Sequence, residues 1–207
     1  MLEEAFINSV SRAGIGSVRN AYSTEAERAV AVVALAFSTD PSARWMYRDA
    51  ADYLAHFPTF IRAFAGRAFD VGSAVTAPGF EGAALWLPPG VHPNEEALDM
   101  LFTETVADEI RSDLYTVFER MAEYHPDEPH WYLPMIGVDT QRQGNGIGAS
   151  LLKFSLERCD ADGLPAYLES SSPRNISLYE RFGFERLAVI QAGSSPPIVP
   201  MLRKASH

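Results

Sequence analysis

The chain has 207 residues, 47% hydrophobic and 21% charged, a globular composition that excludes a disordered or collagen-like polymer. Seventeen basic against 27 acidic side chains give a formal charge of −10, the wrong sign for a general nucleic-acid binder, and no segment approaches the roughly 20 apolar residues of a membrane span. The single Cys159 excludes an internal disulfide and a cysteine-rich metal site, and the N-terminus lacks an apolar signal core, so the expectation is one soluble, cytoplasmic domain over residues 1–207.

"GSVRNAY" ends in a first strand, and "STEAERAVAVVALAFS" opens a helix with Thr24 as N-cap and Glu27 completing a capping box. From Asp40 to Phe69 apolar residues recur at three and four spacing, which predicts helix interrupted near Pro58. The runs flanking Pro78-Gly79 predict a hairpin, and "NEEALDMLFTETVADEIRSDLYTVFERMAEYH" one or two acidic amphipathic helices. After "PDEP" the pattern becomes β-loop-α-β-α-β: strand "HWYLPMIGV", helix "IGASLLKFSLERCDAD" closed by Gly163, strand "PAYLESS", helix "RNISLYERFG", strand "FERLAVIQA". The fold class is therefore α/β (α+β), with helices on the faces of a sheet.

Gly144, Gly146 and Gly148 stand at alternate positions in "QGNGIG", between a strand and a helix. Bare backbone at a helix N-terminus suits phosphate, because successive N–H groups and the positive helix end meet the anion; an ordinary flexible turn is the plain alternative. A Walker A loop fails, since Gly148 is followed by Ala149-Ser150 rather than Lys and Ser or Thr. A dinucleotide fingerprint matches only in letters, since "DTQRQ" separates Val138 from the first glycine. From Gln143 the residues read Q-x-x-G-x-G, and downstream "PRNISLYERFGFE" sets Asn175 and Tyr179 four apart, on one helix face.

Together these two segments resemble the GNAT superfamily of N-acetyltransferases, and "WYLPMIGV", "QGNGIG" and "PAYLESSSPRNISLYERFGF" are similar to puromycin N-acetyltransferase and its relatives. The resemblance implies a GNAT fold, a mixed, strongly twisted central sheet with splayed middle strands and flanking helices, and an acetyl-CoA-binding core at about 130–190. It implies acetyl-CoA as cosubstrate, held by Ile136, Gly137 and Val138 of the strand, by Gln143, Gly144, Asn145, Gly146, Ile147 and Gly148 of the loop, and by Asn175 and Tyr179 of the helix. Arg142 fits either a cofactor contact or a solvated charge. The acetyl group would pass to a primary amine of a small molecule by direct attack in a ternary complex, in a monomer or homodimer. No nucleic acid and no membrane take part.

Such chemistry needs a base for the incoming ammonium, a donor for the developing oxyanion and an acid for the leaving thiolate. Tyr179 is the expected acid, a backbone N–H near Val138 the oxyanion donor, and Glu169 the candidate base, with His130 and Asp40 as lesser ones. His56, His92 and His125, beside or near prolines, read as solvated, His207 is terminal, and no pair has metal-ligand spacing, so no metal is expected. Trp45, Tyr47, Trp86, Trp131 and Tyr132 are candidate walls of an acceptor pocket, and Cys159 a packed, idle thiol. A non-catalytic acyl-CoA-binding or regulatory module is the alternative function.

Overall fold

The computed structural model describes residues 17–206, so the N-terminal stretch read for a signal core, and His207, lie outside the described residues. Among the described residues seven strands form one sheet: β1 (Arg19–Asn20), β2 (Ala74–Thr76), β3 (Gly82–Leu87), β4 (Trp131–Val138), β5 (Ala166–Ser170), β6 (Glu185–Arg186) and β7 (Val199–Arg203). Their order is β1-β2-β3-β4-β5-β7-β6, and every neighbouring pair is antiparallel except β4–β5, which is parallel. One face carries α1 (Ala26–Ala36), α2 (Pro41–Met46), α3 (Ala50–Ala65), α4 (Arg67–Asp70), α5 (Glu95–Thr105) and α6 (Asp108–Tyr124) over the larger apolar cluster. The other face carries α7 (Ile147–Ala161) and α8 (Pro173–Arg181) over the second.

The expected mixed sheet and flanking helices are observed, with local differences. Glu25, not Glu27, reaches back to the chain: its carboxylate accepts from the Tyr22 N–H at 2.9 Å and pairs with Arg19, while Glu27 pairs with Arg62. Tyr22 thus replaces Thr24 at the start of a single tight turn ahead of α1.

The expected break at Pro58 is absent, because α3 runs through it. The hydrogen bond that Pro58 lacks would end on Leu54, which is 72% exposed, so water can satisfy that carbonyl. The opposite face buries Tyr53, Phe57, Phe60, Ile61 and Phe64, each side chain contributing roughly 1.5–3 kcal/mol. The chain breaks earlier instead, at Tyr47–Asp49, where the Asp49 carboxylate accepts from the Ala51 N–H and caps α3.

The last expected strand, "FERLAVIQA", shrinks to β6 and one bridge between Ile190 and Ile198, with Leu187 and Val189 exposed. The inner position belongs to β7, which sequence reading missed. Pro200 argues against a central strand, yet its carbonyl still accepts from the Leu187 N–H.

Between β3 and β4 the register shifts: Leu85 faces Met135 but Leu87 faces Tyr132, so β4 carries one residue more around Leu133-Pro134. A bulge of this kind bends and twists its strand. Beyond it β4 leaves β5, and only Trp131 and Tyr132 pair, with Ala166 and Tyr167. The middle of the sheet is open from Leu133 onward.

Gly137 lies under α1. A Cβ there would come within 2.7 Å of the Ala36 Cβ and 3.1 Å of the Val33 Cα, so the bare position lets helix and strand approach. Gly137→Ala should therefore cost about 1–3 kcal/mol by overpacking, measured as a lowered urea midpoint, and Ala36→Gly in the same chain should return part of it.

Candidate active site

The parting of β4 and β5 opens a cavity whose lining brings together residues far apart in sequence. Leu133, Pro134, Met135 and Ile136 come from β4, Leu168, Glu169 and Ser170 from β5, Asn175 and Tyr179 from α8, and Asp40 from the cap of α2. Side chains alternate along β5, so Glu169 shares the helix-rich face with Tyr167 while Leu168 turns toward α7 and α8. Tyr179, on the second face, reaches the same opening.

Glu169 is not the surface carboxylate that a strand end suggests. Its side chain is 4% exposed, and Oε1 lies 3.1 Å from the His125 Nε2 without an aligned hydrogen bond. Tyr179 is buried; desolvation first, and the charge of Asp40 second, push its phenol well above the usual value, so it keeps its proton at neutral pH. Asn175, one turn earlier, is solvent-accessible at the rim.

The glycine loop has the conformation its spacing predicts. Gly144 and Gly146 have φ of +80° and +79°, and Gly146 caps α7 with no side-chain bond to the first turn. Orphan N–H groups at that turn are available to an anion. Gly148 is different: a Cβ there would make only ordinary contacts with Leu178 and Val138.

Three side chains of the loop are already engaged. Gln143 donates to the Val138 carbonyl at 3.2 Å, so that carbonyl is not free for a ligand, and Arg142 pairs with Glu81 at 3.2 Å. The open edge of the strand is thereby narrowed to the part before Val138. Asn145 donates to the Arg142 carbonyl, and Ile147 begins α7. A cosubstrate with a diphosphate and an extended arm fits this set: an uncapped helix end, bare backbone, and the unpaired stretch of β4, which lines the cavity that Tyr179 reaches.

The acceptor side departs from expectation. Of the five aromatic residues named from sequence, Trp45 lines the cavity. Trp86 and Trp131 belong to the opposite cluster, Tyr47 bonds Thr105 outside it, and Tyr132 packs behind Glu169. Phe37, Phe57, Phe60, Phe64 and Phe118 form the wall instead. Asp40 and Glu169 are the charged residues in the lining among the described residues.

His125 was missed; its place beside Pro126 hid that the loop folds back onto β5. His130 lies 3.3 Å from it and away from the cavity lining. Burial pushes the Cys159 thiol up to about 12, as a packed thiol requires. Among the described residues no cluster suits a metal, and no helix is long and apolar enough to cross a membrane.

Residues 114–184 match the model of the acetyltransferase (GNAT) family. A structure titled histone acetyltransferase HPA2 and related acetyltransferase, from Corynebacterium glutamicum, superposes with a TM-score of 0.66 at 26% identity, over 92% of this chain and 97% of that one. This is a GNAT fold. Drosophila melanogaster polyamine N-acetyltransferase shares the fold alone, at TM-score 0.63 and 14% identity over 90% and 98% of the two chains.

In sequence, an uncharacterized N-acetyltransferase of Schizosaccharomyces pombe is 36% identical over 81 residues, 38% of this chain and 33% of that protein. A mycothiol acetyltransferase of Thermomonospora curvata is 40% identical over 76 residues, 35% and 25% of the two. The chain thus spans about a third or less of the curated relatives it matches. Family model and structural neighbours together support the GNAT acetyltransferase family.

Asp40 yields a test of the cavity's electrostatics. Its carboxylate accepts from the Ser42 and Ala43 N–H groups and from the Ser171 hydroxyl at 2.7 Å, yet desolvation prevails and raises it above the usual carboxylate range. An acid raised in the fold supports stability when protonated, and that support is lost as pH climbs from its unfolded value through the folded one. Asn caps as well as Asp and cannot ionise. Asp40→Asn should therefore flatten the decline in stability from about pH 4 upward, followed by urea unfolding across pH.

Proposed function

We propose that the chain is an acetyl-CoA-dependent N-acetyltransferase acting on a primary amine of a small molecule. The observation that carries this reading is one cavity, at the parting of β4 and β5, lined by a protonated phenol and two carboxylates, in a fold whose strand β4 leads through the glycine loop into an uncapped helix end. Residues 1–207 as one acetyltransferase domain, and kinship with the puromycin N-acetyltransferases through "WYLPMIGV" and "QGNGIG", belong to the same proposal.

The acetyl thioester supplies an activated acyl carbon, and the residues of the chain do the rest. N–H groups of the loop and of the first turn of α7 hold the diphosphate without needing a cation. The unpaired edge of β4 at Ile136 and Gly137 takes the extended arm as a further strand would. Glu169 accepts the proton of the amine, directly or through water, since an ammonium has no lone pair with which to attack. Tyr179 gives its proton to the departing sulfur. The phenylalanine wall favours an acceptor with an apolar body, and the two carboxylates favour its cationic end.

Release of CoA from acetyl-CoA across a panel of amines tests the function directly. Amine-dependent turnover is expected; saturable binding of acetyl-CoA without turnover on any amine would instead favour a regulatory acyl-CoA-binding module.

The loop offers a binding test. Gly146→Asp adds a negative charge beside the diphosphate and a side chain at positive φ, a strain of about 1–3 kcal/mol. The variant should remain folded and bind acetyl-CoA much more weakly in calorimetry; unchanged affinity would remove the loop from the site.

Tyr179→Phe keeps the ring's packing and removes the donor. It should bind acetyl-CoA like the parent and turn over on the order of 10²-fold more slowly, the lower end for losing a general acid. The loss should shrink with a thioester whose thiol is more acidic. Parent-like turnover, with chemistry limiting, would leave Tyr179 a packing residue.

A further inference from the structure

Trp45 stands between two spaces. It lines the acceptor cavity, of about 100 Å³, and also an outer cleft of about 970 Å³, so its indole is part of the partition that divides them. The indole N–H donates to the Ser194 hydroxyl at 3.1 Å, and that hydroxyl in turn donates to an Asp113 carboxylate oxygen at 3.3 Å. The same oxygen accepts from the Ser194 backbone N–H at 2.9 Å. A wall residue on α2 is thereby tied to α6 through one residue of the loop that follows Ile190.

That loop is shaped for the contact. Gly193 has φ of +48°, and an added Cβ there would fall within the Asp113 carboxylate, so only bare backbone lets the acid close on Ser194. Two helix turns beyond Asp113, Arg120 donates to the Gln191 carbonyl at 2.6 Å and gives α6 a second hold. Buried Ser195 braces the loop from within: its hydroxyl accepts from the Ala192 N–H, and its own N–H donates to the Ala192 carbonyl, both at 2.9 Å. Ser195, Pro196 and Ile198 line the cavity as well, so the loop that holds the indole is itself wall. Asp113 and Ser194 are not in that lining.

We propose that Asp113 is a positioning residue for the acceptor site, holding Trp45 through Ser194 as a fixed wall that admits unbranched primary amines and shuts out bulky ones. This rests on the N-acetyltransferase function proposed above. A buried indole needs a partner for its N–H, and the one it has decides where the ring stands. With the tether intact the cavity is bounded on that side and borrows no volume from the outer cleft. With it cut, the indole is free to swing toward the cleft, the cavity widens, and a slim acceptor loses the surface against which it packed.

The tether can be tested without any acceptor. All three tryptophans of the chain are buried, Trp45 at 8% exposure, Trp86 at 1% and Trp131 at 3%, so acrylamide should quench the parent's emission weakly. Asp113→Ala and Ser194→Ala should each add one readily quenched component, which disappears when Trp45→Phe is combined with either. Parent-like quenching in both variants overturns the tether. A new component that persists without Trp45 overturns it too, since the fold has then loosened elsewhere.

Turnover tests what the tether selects. With hexylamine, Asp113→Ala should raise KM for the amine roughly 3- to 10-fold, the scale of a hydrogen bond, with kcat near the parent's. The kcat/KM of adamantylmethylamine relative to hexylamine should rise roughly 10-fold, the scale on which a pocket discriminates small differences in bulk. Asp113→Asn keeps an oxygen that accepts from Ser194 and should return the parent's ratio. An unchanged ratio in Asp113→Ala overturns the proposed selection even where quenching shifts. Absence of turnover by the parent on every amine overturns the transferase reading instead, and quenching alone then decides whether Asp113 holds the indole.

Discussion

Everything at this site depends on one missing set of hydrogen bonds, those that β4 and β5 do not make beyond Tyr132 and Tyr167. Leaving backbone groups unpaired in the middle of a sheet is costly unless water or a ligand takes them. The bulge at Leu133-Pro134 enforces the parting, because an extra residue turns the strand and Pro134 has no N–H to offer. The rest of the fold then holds the two strands in their diverging positions. β3 pairs along β4, β7 pairs along all of β5, and a helix layer lies on each face. The gap is therefore stable because each strand is fully supported on its other side.

The same parting explains how groups from opposite faces of the sheet meet. Tyr179 belongs to the cluster under α7 and α8, Glu169 to the face under α3 and α6, and in a closed sheet the strands would stand between them. Opening the middle joins the two faces, so Tyr179 and Glu169 line one cavity from different sides. Asp40 adds a third connection. Its carboxylate caps α2 and receives the Ser171 hydroxyl from the end of β5, which fastens the acceptor-side helices to the strand that carries Glu169.

Local sequence showed the parts governed by local physics. The loop glycines were legible because positive φ at Gly144 and Gly146 admits little else, whereas Asn175 and Tyr179 were picked out by the resemblance of "PRNISLYERFGFE", and four-residue spacing only sets them on a common helix face. The strands β4 and β5 and the helix between them followed from periodicity and a glycine stop. What escaped depended on distant partners. Pro58 reads as a break, and only the solvent beyond Leu54 makes it harmless; Pro200 reads as an edge, and only a two-residue neighbour makes it tolerable inside the sheet. His125 reads as a solvated loop residue until the chain returns to lay it against Glu169. The acceptor wall was misassigned for the same reason, since Trp86 and Trp131 differ from Phe57 and Phe64 in which face of the sheet they join, and composition carries no record of that.

The charge balance bears on how such a site would select its ligands. A protein with a formal charge of −10 repels anions at long range, and Arg142, beside the glycine loop, pairs with Glu81. An anionic cosubstrate would then gain its hold at short range, from N–H groups whose effect falls off within a helix turn. The acceptor faces the reverse situation. The overall field would attract a cationic amine, and among the described residues the lining holds Asp40 and Glu169 but no positive side chain. The field that draws the amine in also holds its proton on, because nearby negative charge favours the ammonium form.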